Sequence, residues 1–177
     1  MTEKPEQREQ STEAAESAEA AQAAEAAGVA APRERAVRLK DTLARLERDN
    51  DVWVATADAD GFPCMVPLSF LWDGETFLVS TRATLPTGRN LLANGRVRLA
   101  FGETRDVVLA EGTATALDVA DLAPGEREAF AAHTGFDPGG LADPYPYFRI
   151  VPVWIQAWRE ANEIAGRDLM KAGHWLA

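Results

Sequence analysis

The chain has 177 residues, a hydrophobic share of 46% and a formal net charge of −10 at pH 7, which suits one core with an appendage. An acidic balance without clustered Lys and Arg argues against nucleic acid or anionic membrane as a partner, because neutralising phosphates takes grouped cations. A single cysteine, Cys64, and two histidines, His133 and His174, exclude an internal disulfide and a thiolate metal cluster and leave little for a Ser-His-Asp triad or a zinc site, so no metal is expected.

Residues 1–32 are almost entirely Ala, Glu, Gln, Ser and Thr, without Leu, Ile or an aromatic residue. Residues 1–30 carry seven Glu against one Lys and one Arg, a net of −5 and half of the formal charge. Such a segment buries too little apolar surface to offset its ordering entropy, so a disordered acidic tail is expected. It is also too polar for a secretory signal, and no apolar run approaches the ~18 residues of a spanning helix; a cytoplasmic location is expected.

A helix is predicted from Arg33 to Asn50, with Val37, Leu39, Leu43 and Leu46 on one side. Residues 52–57 read as a strand, Asp58-Ala59-Asp60-Gly61 as a turn and residues 62–72 as a second strand. After the turn Asp73-Gly74-Glu75, residues 76–80 complete three antiparallel strands. A short helix follows, with Pro86 in its first turn and Gly95 just past its end. Residues 96–101 and 106–117 read as strands, Gly112 marking a bulge. A helix over 121–134, stopped by Gly135, leads into a Gly- and Pro-rich loop over 136–146 and a last long strand over 147–160. Residues 161–177 form a C-terminal extension with a turn at Lys171-Ala172-Gly173 and an apolar anchor at Trp175-Leu176. Six strands separated by turns, with helices at the joints, predict a mainly β fold: a small closed Greek-key barrel occupying residues 33–160. Cys64, in the strand-like run Pro63-Cys64-Met65-Val66, is expected to be a small buried hydrophobe.

The segment from Ser80 to Gly95 holds the most chemistry. A strand ends in a loop with hydroxyls at Ser80, Thr81, Thr84 and Thr87 and guanidiniums at Arg82 and Arg89, where a helix begins. Free amides at a helix start, hydroxyl donors and arginine forks are the ingredients of a phosphate site. The same residues also read structurally, with Thr84 as a helix cap, Arg89 as a surface charge and Asn90 on the helix face. No carboxylate pair or nucleophile–base pair stands out, so catalytic residues remain unassigned.

Order and residues together resemble the pyridoxamine-phosphate-oxidase-like split barrels, in particular the actinobacterial flavin/deazaflavin oxidoreductases. The likeness rests on Trp53-Val54-Ala55-Thr56 with Asp60-Gly61-Phe62-Pro63, on Val66 to Trp72, on Arg89-Asn90-Leu91-Leu92-Ala93-Asn94-Gly95-Arg96-Val97 and on Asp106 to Ala114. It implies a six-stranded antiparallel Greek-key split β-barrel that works as a homodimer, with cofactors in clefts between the subunits. The cofactor would be FMN or the deazaflavin coenzyme F-420, and the reaction a hydride transfer with a small planar unsaturated substrate. The loop of Thr84, Thr87 and Arg89, with Ser80, Arg82 and Asn90, would hold the cofactor phosphate, and the ring would lie along the strand of Pro67 and Ser69. Trp158 either approaches the partner's cofactor or packs at the barrel rim. One departure stands out: three residues before the Asn of the motif the family usually has a Lys, and here the residue is Thr87. The alternatives to an enzyme are a non-catalytic flavin- or tetrapyrrole-binding protein on the same barrel, or a degenerate barrel serving as an interaction module.

Overall fold

The computed structural model describes residues 31–141 and 145–176; the tail expected over residues 1–32 lies outside them up to residue 30. Helix α1 (Arg35–Arg48) opens the described chain and turns Arg38, Thr42 and Leu46 inward. These positions follow the i, i+4, i+8 row of one helix face. Val37, expected on the apolar side, is instead 45% exposed, because the inner row also satisfies polar groups: the Arg38 guanidinium donates to the carbonyls of Ala157 and Glu163.

Strands β1 (Asp51–Ala57), β2 (Pro63–Trp72) and β3 (Phe77–Ser80) form a meander. Helix α2 (Pro86–Asn94) crosses to a second meander of β4 (Arg96–Phe101), β5 (Val107–Leu117) and β6 (Tyr147–Trp158). The antiparallel order is β3-β2-β1-β4-β5-β6, and β6 pairs back to β3, which closes a six-stranded barrel. Alternation along β1 sends Val52, Val54 and Thr56 inward and Trp53 outward. Phe70, Phe77 and Phe101 meet inside with ring centroids 5.1–6.1 Å apart. The register of β5 on β6 slips at Glu111/Gly112, the expected bulge. A Cβ on Gly112 would stand 2.5 Å from the Val151 carbonyl oxygen, so the close approach of the two strands there requires glycine.

Helix α3 (Glu126–Thr134) covers the other face of β3, packing Phe130 on Tyr147 and Leu78. It begins five residues later than the sequence predicts. Residues 119–121 make a 3-10 turn closed by Asp118 and Asp121, and the chain cannot run helically through Pro124, which constrains the residue before it, or through Gly125 at φ +84°.

Two further strands come from the C-terminal extension. Strand β7 (Asp168–Lys171) pairs with the far half of β6, and β8 (His174–Trp175) returns on β7 around Ala172 and Gly173, both at positive φ. Strand β6 therefore serves β3 over residues 147–150 and β7 over 155–156. Strand β2 is likewise divided: it pairs with β1 over residues 63–69 but with β3 only over 70–72. Among the described residues one edge of β2 is thus unpaired over 63–69. That is where Pro63 and Pro67 sit, an arrangement a central strand would not tolerate. No helix among the described residues is long and apolar enough to cross a membrane.

Candidate functional site

The loop between β3 and α2 is fixed by its own backbone. Pro86 starts the helix at its first turn, and Gly95 at φ 64° ends it with its N–H on the Leu91 carbonyl. The Thr84 side chain does not cap the helix; the cap position is Leu85. The carbonyl of Arg82 folds over the first turn, accepting from the Leu85 N–H at 3.2 Å. A Cβ on Gly88 would fall 2.2 Å from that carbonyl oxygen, so only glycine lets the loop lie so close to the helix.

This folding sorts the candidate residues into two sets. Ser80, Thr81, Thr87 and Asn90 are buried, at 6%, 5%, 2% and 7% exposure. The Ser80 hydroxyl donates to the Pro146 carbonyl at 3.0 Å, the Thr87 hydroxyl meets the Cys64 sulfur at 3.4 Å and the Asn90 amide donates to the Thr56 hydroxyl at 3.1 Å. The first bond ties the end of β3 to the segment before β6, and the other two seat α2 against β2 and β1, where Leu91 joins the barrel core. Cys64 is half-buried in this contact and not fully enclosed as expected.

Arg82, Thr84 and Arg89 face outward. The Arg89 guanidinium donates to the Thr84 carbonyl, and among the described residues no carboxylate pairs with it. The Arg82 guanidinium lies 5.2 Å from the centroid of the Tyr145 ring, which meets Phe136 edge-on. The sequence places Tyr145 in the Gly- and Pro-rich loop over 136–146 without giving it a role; an aromatic flanked by prolines was the signal available.

Strand β2 presents Pro67 opposite Trp53 and Ser69 opposite Asp51, and the Ser69 hydroxyl donates to the Asp51 carboxylate at 2.8 Å. Ser69 immediately precedes Phe70, the partner of Val79, so it stands beside the end of β3 and the start of the Ser80 loop. Trp158 is elsewhere. Ser80 pairs with Tyr147 at the beginning of β6, whereas Trp158 ends that strand opposite Val107, about 36 Å further along it at ~3.3 Å per residue. The Arg167 guanidinium lies 5.8 Å from the centroid of its ring. One chain therefore gathers every candidate except Trp158.

A loop and helix start presenting two guanidiniums and a threonine beside a strand edge have the donor chemistry of an anion or phosphate site. At position 87, by contrast, the side chain is turned into the wall, so the family's lysine has no counterpart on the outer surface.

Comparisons with known proteins agree with this architecture. The pyridoxamine 5'-phosphate oxidase family profile matches residues 39–159. Among solved structures, the chain is similar to a Clostridium acetobutylicum protein related to general stress protein 26 of B. subtilis, of the pyridoxinephosphate oxidase family. The TM-score is 0.56 at 19% identity, covering 73% of this chain and 92% of that one. It is similar to a FAD-binding protein from Mesorhizobium loti, with TM-score 0.51 and 20% identity over 66% of this chain and 89% of that one. It is also similar to the heme storage protein HutZ from Vibrio cholerae, with TM-score 0.51 and 19% identity over 77% and 99% of the two chains. No curated protein matches. With the matched region spanning the barrel from α1 to the end of β6, the chain belongs to the pyridoxamine 5'-phosphate oxidase family.

Proposed function

We propose that this chain is an oxidoreductase that binds FMN or coenzyme F-420 as a homodimer and passes a hydride between that cofactor and a small planar unsaturated substrate. The observation that carries the reading is the loop before α2 together with the first turn of that helix, which present Arg82 and Thr84 and then Arg89 outward on a barrel of this family. When bound, the cofactor supplies the two-electron chemistry, and the protein supplies position and electrostatics. Arg89 gives a charged fork for the phosphate and Thr84 a hydroxyl donor, while Ser80, Thr87 and Asn90 hold the loop and helix from behind. Similar barrels described as FAD-binding and as heme storage carry two classes of cofactor. The arginine and hydroxyl donors favour the phosphate-bearing flavin class here. The dimer is supported by exposed apolar side chains on β1 and at the start of β2, with Trp53 at 47%, Met65 at 62% and Phe62 at 75% exposure.

The test is an absorption titration of the purified protein with FMN and with F-420, whose bands lie near roughly 450 and 420 nm, followed by turnover with a panel of acceptors. Binding of one cofactor with turnover is expected. Binding without turnover assigns a carrier or storage role, and no binding of either overturns the reading. Light scattering at micromolar concentration is expected to give twice the chain mass; a monomer would remove the shared cleft.

A further inference from the structure

At the far end of the barrel a cleft of about 240 Å³ opens between α1 and the ends of β5 and β6. Arg33, Arg45, Arg48 and Arg159 line it together with Asp41 and Asp106. Arg33 pairs with Glu163 and Asp41, Arg45 with Asp106, Arg48 with Asp49, and Arg159 with Asp106 and Asp41. Behind the wall, one turn before the lining residue Thr42, stands Arg38, only 5% exposed. Its Nη1 donates to two carbonyls and its Nε has no hydrogen-bond partner. Among the described residues no carboxylate lies within ion-pair distance of it. The lining itself thus carries four guanidiniums against two carboxylates, and Arg38 behind it has only the charge of Glu163, already paired with Arg33, to offset its own. An excess of cationic over anionic side chains on the lining favours an incoming anion.

We propose that this cleft binds a phosphate group, held by Arg48 and Arg159 at the mouth with the charge of Arg38 and Arg45 behind it. Size supports a small anion: sites for drug-sized molecules begin near ~300 Å³, above this volume. Mobility selects the ligating pair. The Arg48 and Arg159 side chains are 69% and 48% exposed, and exposed ion pairs exchange easily, whereas Arg33 and Arg45, each at 15%, are fixed parts of the wall. Forked donors approaching from two elements suit a tetrahedral oxyanion. The cleft lies at the opposite end of β6 from the Arg89 loop, so the two sites are separable.

The test is calorimetric titration of the full chain with inorganic phosphate and with glycerol phosphate, at constant ionic strength in chloride. One saturable site is expected that survives Arg89→Ala. It should weaken about tenfold in Arg159→Ala and in Arg48→Ala, as for loss of one charged hydrogen bond. Asp41→Asn removes a competing carboxylate and should tighten binding a few-fold; circular dichroism on each variant confirms folding. The tighter of the two ligands tells free phosphate from a phosphomonoester. Absence of saturable binding at roughly ten millimolar, well above the range expected for two charged contacts, overturns the proposal. So does binding that vanishes in Arg89→Ala and is unmoved in Arg159→Ala, which would place the anion on the cofactor loop.

Discussion

Arginines gather at both ends of β6, in two different ways. At its start, Arg89 faces solvent and is held by a backbone carbonyl. At its end, Arg33 lies 85% buried by side-chain area and grips Glu163 with two nitrogens, at 2.8 and 2.7 Å, while Glu163 is itself 4% exposed. The Glu163 carboxylate also accepts the backbone N–H groups of Arg33 and Arg159. This second arrangement ties the segment before α1 to the turn after β6. A guanidinium whose donors are taken by buried carboxylate oxygens holds the fold; one resting on a carbonyl at the surface keeps its charge for a ligand.

The sharpest way to break this contrast is Glu163→Gln. The change removes the buried, two-pronged partner of Arg33 and leaves it Asp41 alone, and a loss of about 3 kcal/mol in urea unfolding is expected. The Arg33 hydrogen bonds hold the Glu163 carboxyl down at about 2, against an ordinary value of 4.5. Because the folded-state value is depressed, this contribution is present above about pH 4.5 and is lost as pH falls towards 2. Parent stability should therefore fall more steeply than that of the variant across that window. Equal slopes would remove Glu163 from the account.

Arg89→Ala is the counterpart at the other end. Cofactor binding is expected to weaken by about 1.5–3 kcal/mol, while stability without cofactor moves by less than about 0.5 kcal/mol. A large stability loss with unchanged binding would reverse the comparison. Thr87→Lys restores the cation usual in the family, but it enters a position 2% exposed and in contact with Cys64. A stability cost of roughly 2 kcal/mol is expected in urea unfolding, unless the stem finds a path to the surface. Deleting residues 1–30 should have the smallest effect, a melting temperature within about 4 °C of the parent, or about 1 kcal/mol, since that segment offers no apolar face to dock.

What the sequence disclosed follows the range of its signals. Turn residues and alternation located β1 to β6 and the bulge at Gly112, because glycine's backbone freedom and the period of two are local properties. Of the β7–β8 hairpin only the turn at Lys171-Ala172-Gly173 was legible: Asp168-Leu169-Met170-Lys171 has little strand propensity, and it becomes a strand only because β6 offers an unpaired flank. In the β3–α2 loop the residue types were legible, but the direction of each was not. Thr84 and Thr87 read alike in sequence, yet one faces water and the other Cys64. The terminal arginine cleft escaped notice because Asp106 and Arg159 are distant in sequence from the arginines on and beside α1 and meet them only through the fold.

The divided pairing of β2 bears on how the protein avoids self-polymerisation. An unpaired strand edge is a template for an incoming strand, and over residues 63–69 this edge would offer a run of seven residues. Amide direction alternates along a strand, so Pro63 and Pro67 lack their donors on the same side, and a proline inside a ladder is accommodated with that side turned away from its partner. An invading chain would then find N–H groups at only Met65 and Ser69. Exposed Phe62 and Met65 can thus remain available for a shaped, two-fold contact without inviting open-ended β-addition, and Pro67→Val should raise the tendency to form thioflavin-positive aggregates even where the native fold is kept.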